Sequence, residues 1–272
     1  MMRYRPLLDT RAVRVGRFDH PGKHEHQDPP EEFSGEYSIS RVERGSFAVA
    51  VGRKRWLLEP GDLFLNYPGM VYRCEHLETI PTDVCMAIAY GPPSAELEQA
   101  PQFIRMARVL PVIPASNRIN YLFLRAASGA HEPMAAEEAA YAIIGEIHPG
   151  HTRGRRRYRT QKLSWYAERV DAVRTRLDSG YATEHRLTEL ARSASMSPYH
   201  FARVFRELVG MPPHAYLCLV RLEQAARRLR EGASVTEACY GSGFQNLSHF
   251  SRRFYSHFGV RASQYNRRGR QV

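Results

Sequence analysis

The stretch GFQNLSHFSRRF, residues 243–254, carries the pattern on which the fold of the C-terminal part depends. Its apolar residues Leu247, Phe250 and Phe254 recur at the three- and four-residue spacing of one helix face. Serine and arginine lie between them, on the face that such a helix turns to solvent. Asn246 stands where a capping side chain is expected. The pattern predicts a short amphipathic helix with a polar, arginine-bearing outer face.

The same pattern occurs 49 residues earlier in the chain. The matching pairs are Phe201 and Phe250, Phe205 and Phe254, Gly210 and Gly259, and Tyr216 and Tyr265. A short helical segment precedes each copy, LTELARSA at 187–194 and SVTEACYGSG at 234–243, and Ser197 stands at the first copy's cap position. Each copy therefore predicts two helices joined by a tight turn, the helix-turn-helix arrangement. The alternative is a plain helix bundle for each copy, but two copies at matched spacing favour the helix-turn-helix.

Each copy should bury one face of its second helix and expose the other. In the first copy we expect Leu187, Leu190 and Ala191 to pack against the apolar side of that helix. The outer faces would then carry Tyr199, His200, Ala202, Arg203 and Arg206 in the first copy, and Ser248, Ser251, Arg252 and Tyr255 in the second. Such faces enter the major groove of DNA, where arginine binds guanine O6 and N7.

The segment between the copies, residues 212–232, predicts one amphipathic connecting helix. Pro212 and Pro213 begin it, and Gly232 ends it. Two recognition helices on one side of a duplex must lie about 34 Å apart, one helical turn. A rigid connector would fix that distance within a single chain.

The excess positive charge of the chain lies entirely in its C-terminal part. Residues 151–272 carry 23 Lys and Arg against 9 Asp and Glu, a net charge of +14. Residues 1–150 carry 16 against 19, a net charge of −3. Solubility alone does not require this asymmetry, which predicts a nucleic-acid partner for the C-terminal part.

The N-terminal part predicts strands followed by helices. Residues 12–90 show short apolar and alternating runs broken by glycine and proline, as in a small barrel or sandwich. From residue 92 the periodicity becomes helical, and residues 149–162 combine chain breakers with basic residues. We therefore divide the chain into an N-terminal domain at 1–148, a basic linker at 149–163 and a DNA-binding domain at 164–272.

Several classes of protein are excluded by what the sequence lacks. It has no run of 18 apolar residues and no secretory signal, and its four cysteines are too scattered for a disulfide framework. A cytoplasmic location follows as the expectation. Catalytic triads, phosphate-binding loops and dinucleotide fingerprints are also absent from the sequence.

The C-terminal hundred residues resemble the AraC/XylS-type transcription regulators. The resemblance rests on LTELARSASMSPYHFARVFRELVGMPPHAY (187–216), RLEQAARRL (221–229), HFSRRF (249–254) and the later Phe-Gly and Tyr265. It implies base contacts by Tyr199, Ala202 and Arg203 in the first unit. In the second unit it implies contacts by Leu247, Ser248, Ser251 and Arg252. It also implies a two-domain α+β fold, with a cupin-like effector-binding barrel and dimerisation helices before the all-α DNA-binding domain.

Two kinds of ligand are compatible with the expected barrel. An organic effector would lie in an apolar pocket lined by Trp56, Phe64 and Tyr72. The alternative is a thiophilic metal ion such as Zn or Cu(I). Its candidate ligands are His24, His26, Cys74, His76 and Cys85.

The sequence thus predicts a ligand-responsive, sequence-specific DNA-binding transcription regulator that is not an enzyme. Its expected partners are promoter DNA, a small effector and a second copy of the chain, with RNA polymerase as a further candidate. One alternative is a metal-dependent cupin enzyme fused to a DNA-binding domain, although Tyr72 stands where a metal-binding histidine would be needed. Another alternative is a DNA binder that needs no effector.

Overall fold

A computed structural model describes residues 3–21, 31–76, 82–91, 101–128, 132–148 and 157–268 of the chain. The chain divides into two compact units, Met1–Leu163 and Ser164–Val272. The first unit contains all the described strands, and the second is helical. This arrangement confirms the predicted two-domain α+β fold.

The described residues of the N-terminal unit form ten strands. They are β1 (Arg3–Asp9), β2 (Val13–Pro21), β3 (Glu32–Phe33), β4 (Tyr37–Arg44), β5 (Phe47–Val51), β6 (Lys54–Leu58), β7 (Asp62–Asn66), β8 (Val71–His76), β9 (Thr82–Tyr90) and β10 (Val112–Pro114). They form a six-stranded sheet in the order β1-β2-β9-β4-β7-β10 and a four-stranded sheet in the order β3-β8-β5-β6. Two strands lie outside the expected range of 12–90. The strand β1 begins nearer the N-terminus, and β10 interrupts the helical segment.

The six-stranded sheet buries both of its faces. One face shares a cluster with the four-stranded sheet, in which Val42 and Phe64 from the first sheet meet Val49 and Leu58 from the second. The other face packs against three helices, α1 (Pro101–Val109), α2 (Asn117–Ser128) and α3 (Pro133–Glu146). In the strands β4, β7, β9 and β10, alternate residues therefore serve two different cores.

A buried cation joins the sheet to these helices. The Arg41 guanidinium on β4 donates to Asn120 Oδ1 on α2 at 2.9 Å and lies 5.4 Å from the centre of the Phe123 ring. Burial lowers the pKa of Arg41, and Glu43 partly offsets this through an ion pair of 2.8 Å.

Over residues 157–268, the last range that the structure describes, seven helices follow. They are α4 (Thr160–Ser179), α5 (Leu187–Ser193), α6 (Pro198–Val209), α7 (Pro213–Arg230), α8 (Val235–Gly241), α9 (Leu247–Phe258) and α10 (Ala262–Arg268). The helix pairs α5–α6 and α8–α9 are the two helix-turn-helix units, and α7 is the predicted connecting helix. Leu222, Ala238, Phe250 and Phe254 belong to one core in which α7, α8 and α9 meet.

Candidate nucleic-acid interface

The first recognition helix, α6, is fixed at both ends. Ser197 caps its start, because the backbone N–H of His200 donates to Ser197 Oγ at 3.3 Å. Gly210 ends it in the left-handed conformation, with φ at 89° and its N–H bonded to the Arg206 carbonyl. Four residues anchor the inner face in the core, namely Phe201, Val204, Phe205 and Leu208.

The outer face of α6 presents most of the expected DNA-contacting side chains. Tyr199 is 81% exposed, and both Arg203 and Arg206 are exposed. His200 and Ala202 are only half-buried. The expectation that Leu187 is buried was wrong, because it is 42% exposed at the first position of α5, where Leu190 and Ala191 face the core instead.

His200 joins the recognition helix to α4. Its Nε2 lies 2.8 Å from the hydroxyl of Tyr166, and the two rings lie 5.4 Å apart. Its Nδ1 lies 3.3 Å from an Arg203 guanidinium nitrogen. Tyr166 was not predicted as a functional residue, because it lies 34 positions before His200 and no local pattern marks it.

The second recognition helix, α9, repeats the caps of the first. The N–H of His249 donates to Asn246 Oδ1 at 2.9 Å, and Gly259 ends the helix with φ at 69°. The preceding helix, α8, begins with a reciprocal capping box. The Glu237 N–H donates to Ser234 Oγ at 3.2 Å, and the Ser234 N–H donates to Glu237 Oε2 at 2.8 Å.

The outer face of α9 exposes all of its expected contacts, which are Leu247, Ser248, Ser251 and Arg252. Leu247, which the apolar spacing grouped with the inner-face residues Phe250 and Phe254, is instead 37% exposed at the first position of the helix, beside its cap. Tyr255 is also exposed, one turn after Ser251. Serines therefore flank Arg252, and both recognition helices expose two arginines and a tyrosine, which on α9 are Arg252, Arg253 and Tyr255.

The connecting helix is hydrogen-bonded to the loop that precedes the first helix-turn-helix unit. Arg221 on α7 donates from Nε to the Tyr181 carbonyl at 2.7 Å and from Nη2 to the Thr183 carbonyl at 2.8 Å. Gly243, in the turn of the second unit, packs against the same loop at Ala182. These contacts tie the turn of the second unit to the chain that leads into the first.

The basic linker is described only in part. Residues 149–156 lie outside the described residues. Arg157 donates to the Gly61 carbonyl at 3.1 Å and to Asp62 Oδ1 at 3.3 Å. This arginine is thus bound to the turn before β7 within the N-terminal unit.

The residues expected to bind an effector lie together in the barrel. Trp56, Phe64 and Tyr72 belong to one cluster, and the rings of Phe64 and Tyr72 lie 5.1 Å apart. Phe64 is buried, whereas Trp56 and Tyr72 are half-buried. Burial raises the pKa of the Tyr72 hydroxyl, and the nearby carboxylate of Glu32 adds to this effect.

Cys74 and Cys85 lie in the same cluster as protonated thiols. Burial raises the pKa of both, and the carboxylates of Glu32 at Cys74 and Asp83 at Cys85 raise it further. Among the described residues, no three His, Cys, Asp or Glu side chains could together hold a metal ion. His24 and His26, together with the side chain of His76, lie outside the described residues, so the metal set stays a prediction.

Two family models match the chain. Residues 19–144 match the AraC-like ligand binding domain, and residues 190–268 match a helix-turn-helix domain. Among the described residues, no helix is long and apolar enough to cross a membrane.

Three bacterial regulators illustrate the similarity. An uncharacterized HTH-type transcriptional regulator of Bacillus subtilis, YbfI, is 25% identical over 81% of this chain and 80% of its own length. The HTH-type transcriptional activator RhaS of Pectobacterium carotovorum is 25% identical over 83% of each chain. The regulator Rv1931c of Mycobacterium tuberculosis is 38% identical over 30% of this chain and 32% of its own length.

Proposed function

The chain belongs to the AraC type of transcription regulators, and we propose that α6 and α9 read two adjacent stretches of one operator. The observation that carries this proposal is the duplicated unit itself. Each copy has a capped recognition helix, a buried phenylalanine pair and an exposed outer face with arginine. The net charge of +14 over residues 151–272 supplies the attraction to phosphate.

Specific reading is assigned to Arg203 in the first unit and Arg252 in the second. Arginine donates two parallel hydrogen bonds to guanine, whereas the neighbouring Ser248 and Ser251 allow close approach of α9 to the groove. Arg203→Ala and Arg252→Ala should each lower discrimination at one base pair by about 1–3 kcal/mol.

The test begins with selection of the operator from random duplexes by the full-length protein. Binding to that operator and to every single-base variant is then measured for each substitution at several salt concentrations. Arg227→Ala is the matched control, because Arg227 is an exposed arginine of the connecting helix, outside both recognition helices. It forms an ion pair with Glu231. Equal weakening on all sequences would contradict base reading and would assign both arginines to phosphate.

We also propose that the barrel cluster around Trp56, Phe64 and Tyr72 binds the effector, and that the effector has an apolar body without negative charge. Burial disfavours a charged group in this cluster, since it raises the pKa of Tyr72, Cys74 and Cys85. The charges that act on them are the carboxylates of Glu32, Glu43 and Asp83 against the single guanidinium of Arg41, so their balance would repel an anion. Apolar contact is what the aromatic side chains offer.

Tryptophan fluorescence gives a direct test of this site. The chain has two tryptophans, Trp56 in the barrel and Trp165 in the C-terminal unit, so Trp165→Phe leaves Trp56 as the only reporter. Pairs of neutral and carboxylated aromatic compounds are screened for saturable changes in emission. We expect neutral members to bind and Tyr72→Ala to abolish the change. Preferential binding of the anionic members would contradict the assigned chemistry.

We propose two further partners, a second copy of the chain and RNA polymerase. We also propose that the protein acts in the cytoplasm and is not an enzyme. The exposed side of α3 supports pairing, since Met134 is 74% exposed there beside Tyr141 and Ala142. Met134→Glu should shift the full-length protein toward monomer in sedimentation equilibrium. Leu57→Glu is the control, because Leu57 is an exposed apolar residue of the barrel. A monomeric parent protein would refute the pairing.

A further inference from the structure

We infer that Tyr166 and His200 are positioning residues for the first recognition helix, and that through Arg203 they set how sharply one base pair is read. This inference rests on the proposed function, in which Arg203 contacts a base. It changes the role of His200 from a reader of DNA to a link between α4 and the arginine beside it.

The tautomer of His200 follows from its neighbours. A guanidinium group can only donate hydrogen bonds, so His200 Nδ1 must accept from Arg203 across the 3.3 Å contact. A neutral imidazole then carries its proton on Nε2, which donates to the Tyr166 oxygen at 2.8 Å. The contact with Arg203 thus sets the tautomer, and the Tyr166 oxygen, which accepts from Nε2, fixes the orientation of the ring.

The two residues are held by different parts of the unit. Tyr166 is 2% exposed on α4, with its ring 5.4 Å from that of Trp165. His200 is half-buried on α6, in the first turn after the Ser197 cap. The hydrogen bonds therefore join the buried Tyr166 on α4 to the exposed Arg203 on α6.

This arrangement prepares Arg203 for bidentate binding. An arginine side chain has many rotamers, and fixing one of them before binding lowers the entropy lost when it meets DNA. The guanidinium has five N–H donors, and the bond to His200 uses one. Enough donors remain for the two parallel bonds to guanine O6 and N7.

The test is Tyr166→Phe in the full-length protein, which removes one hydroxyl and keeps the ring. Discrimination at the base pair read by Arg203 should fall by about twofold to tenfold, the range of one hydrogen bond. The salt dependence of binding and the discrimination at all other positions should stay unchanged. In an Arg203→Ala background the same substitution should have no further effect on discrimination.

The matched control is Tyr216→Phe. Tyr216 donates its hydroxyl to Asp178 at 2.8 Å, and its ring lies 5.8 Å from that of Phe205 on the buried inner face of α6. Loss of this hydroxyl should leave the discrimination profile unchanged. His200→Phe, which keeps a ring but removes both nitrogens, should reproduce the effect of Tyr166→Phe at the same base pair.

Two results would overturn the inference, and they are distinguishable. If Arg203→Ala lowers discrimination while Tyr166→Phe does not, or weakens binding to all sequences equally, then Tyr166 has no positioning role and the proposed function stands. If Arg203→Ala itself leaves discrimination unchanged, then the base contact fails and the positioning role fails with it.

Discussion

The two helix-turn-helix units end their recognition helices alike but turn into them differently. Gly210 and Gly259 both adopt a left-handed conformation and both bond to the carbonyl four residues before them. In the turn that precedes α6, the left-handed residue is Ser195, with φ at 55°, and the cap follows two residues later. In the turn that precedes α9, it is Gly243, with φ at 85°, and the cap follows three residues later.

The reason for this difference lies outside the turns themselves. A Cβ at Gly243 would lie 2.8 Å from the Ala182 Cα and 2.9 Å from the Ala182 carbonyl oxygen. The second turn is pressed against the backbone of the loop before α5, so only glycine fits there. The comparison teaches that a duplicated unit keeps its helix ends, while each turn adapts to what packs against it.

The largest expected effect tests what the units share. Phe201→Ala and Phe250→Ala should each lower the free energy of unfolding by about 3–5 kcal/mol, because both rings are fully buried. Amide hydrogen exchange of α6 and α9 in the full-length protein measures both. A small loss at one site would show that the two cores are not equivalent.

Exchanging the turn residues should break the symmetry. Gly243→Ser combines left-handed strain with the clash at Ala182, and should cost about 2 kcal/mol or more. Ser195→Gly relieves strain and should change stability by less than about 1 kcal/mol. Thermal unfolding of the two variants makes the comparison.

Gly259→Ala is the control for this exchange. Its backbone is also left-handed, but a Cβ there would meet nothing within 4 Å. Its cost should be about 1–2 kcal/mol, from strain alone. A Gly243→Ser variant as stable as Gly259→Ala would mean that the loop at Ala182 moves away freely.

Removing the caps of the recognition helices should have a smaller effect. Ser197→Ala and Asn246→Ala should each cost about 1 kcal/mol, since each leaves one backbone N–H without its side-chain acceptor. The Asn246 bond is shorter, at 2.9 Å against 3.3 Å, so we expect the larger loss in the second unit. Hydrogen exchange of the His200 and His249 amides reports each cap separately, and equal protection in both variants and the parent would contradict the prediction.

The smallest expected effect is a loss of the N-terminal cap of α8 at acidic pH, which α5 should not show. The hydrogen bonds with Ser234 lower the pKa of Glu237. In α5, by contrast, the N-cap residue Arg186 makes no side-chain capping bond. A lowered carboxyl pKa adds stability at pH values above the unfolded pKa, and this is lost as pH falls through the folded value. The start of α8 should therefore fray as pH falls below the ordinary glutamate pKa, and Glu237→Gln should remove that dependence. A pH titration of the Ser234 and Glu237 amide signals by NMR measures it, with Glu189 on α5 as the control carboxylate.

Helix boundaries and caps were predictable because their signals are local. Ser197, Gly210, Asn246 and Gly259 act within one turn of their own helix, so the printed order of residues contains the whole cause. The strand β1 was missed because RYRPLLD contains a proline and three charged residues, and it forms by pairing with β2. Leu187 was assigned to the core because the helical period alone does not show whether the first residue of a helix is covered by its neighbours.

The sequence by itself determined the duplicated unit, its caps, the connecting helix and the excess of positive charge in residues 151–272. Each of these is a pattern of near neighbours or a count. Only the tertiary structure decided what those patterns meet. It placed Tyr166 against His200, Ala182 against Gly243 and Glu32 near Cys74, contacts that join residues far apart in the chain. Such pairs depend on how whole helices and sheets pack, and packing depends on shape and burial over many residues at once.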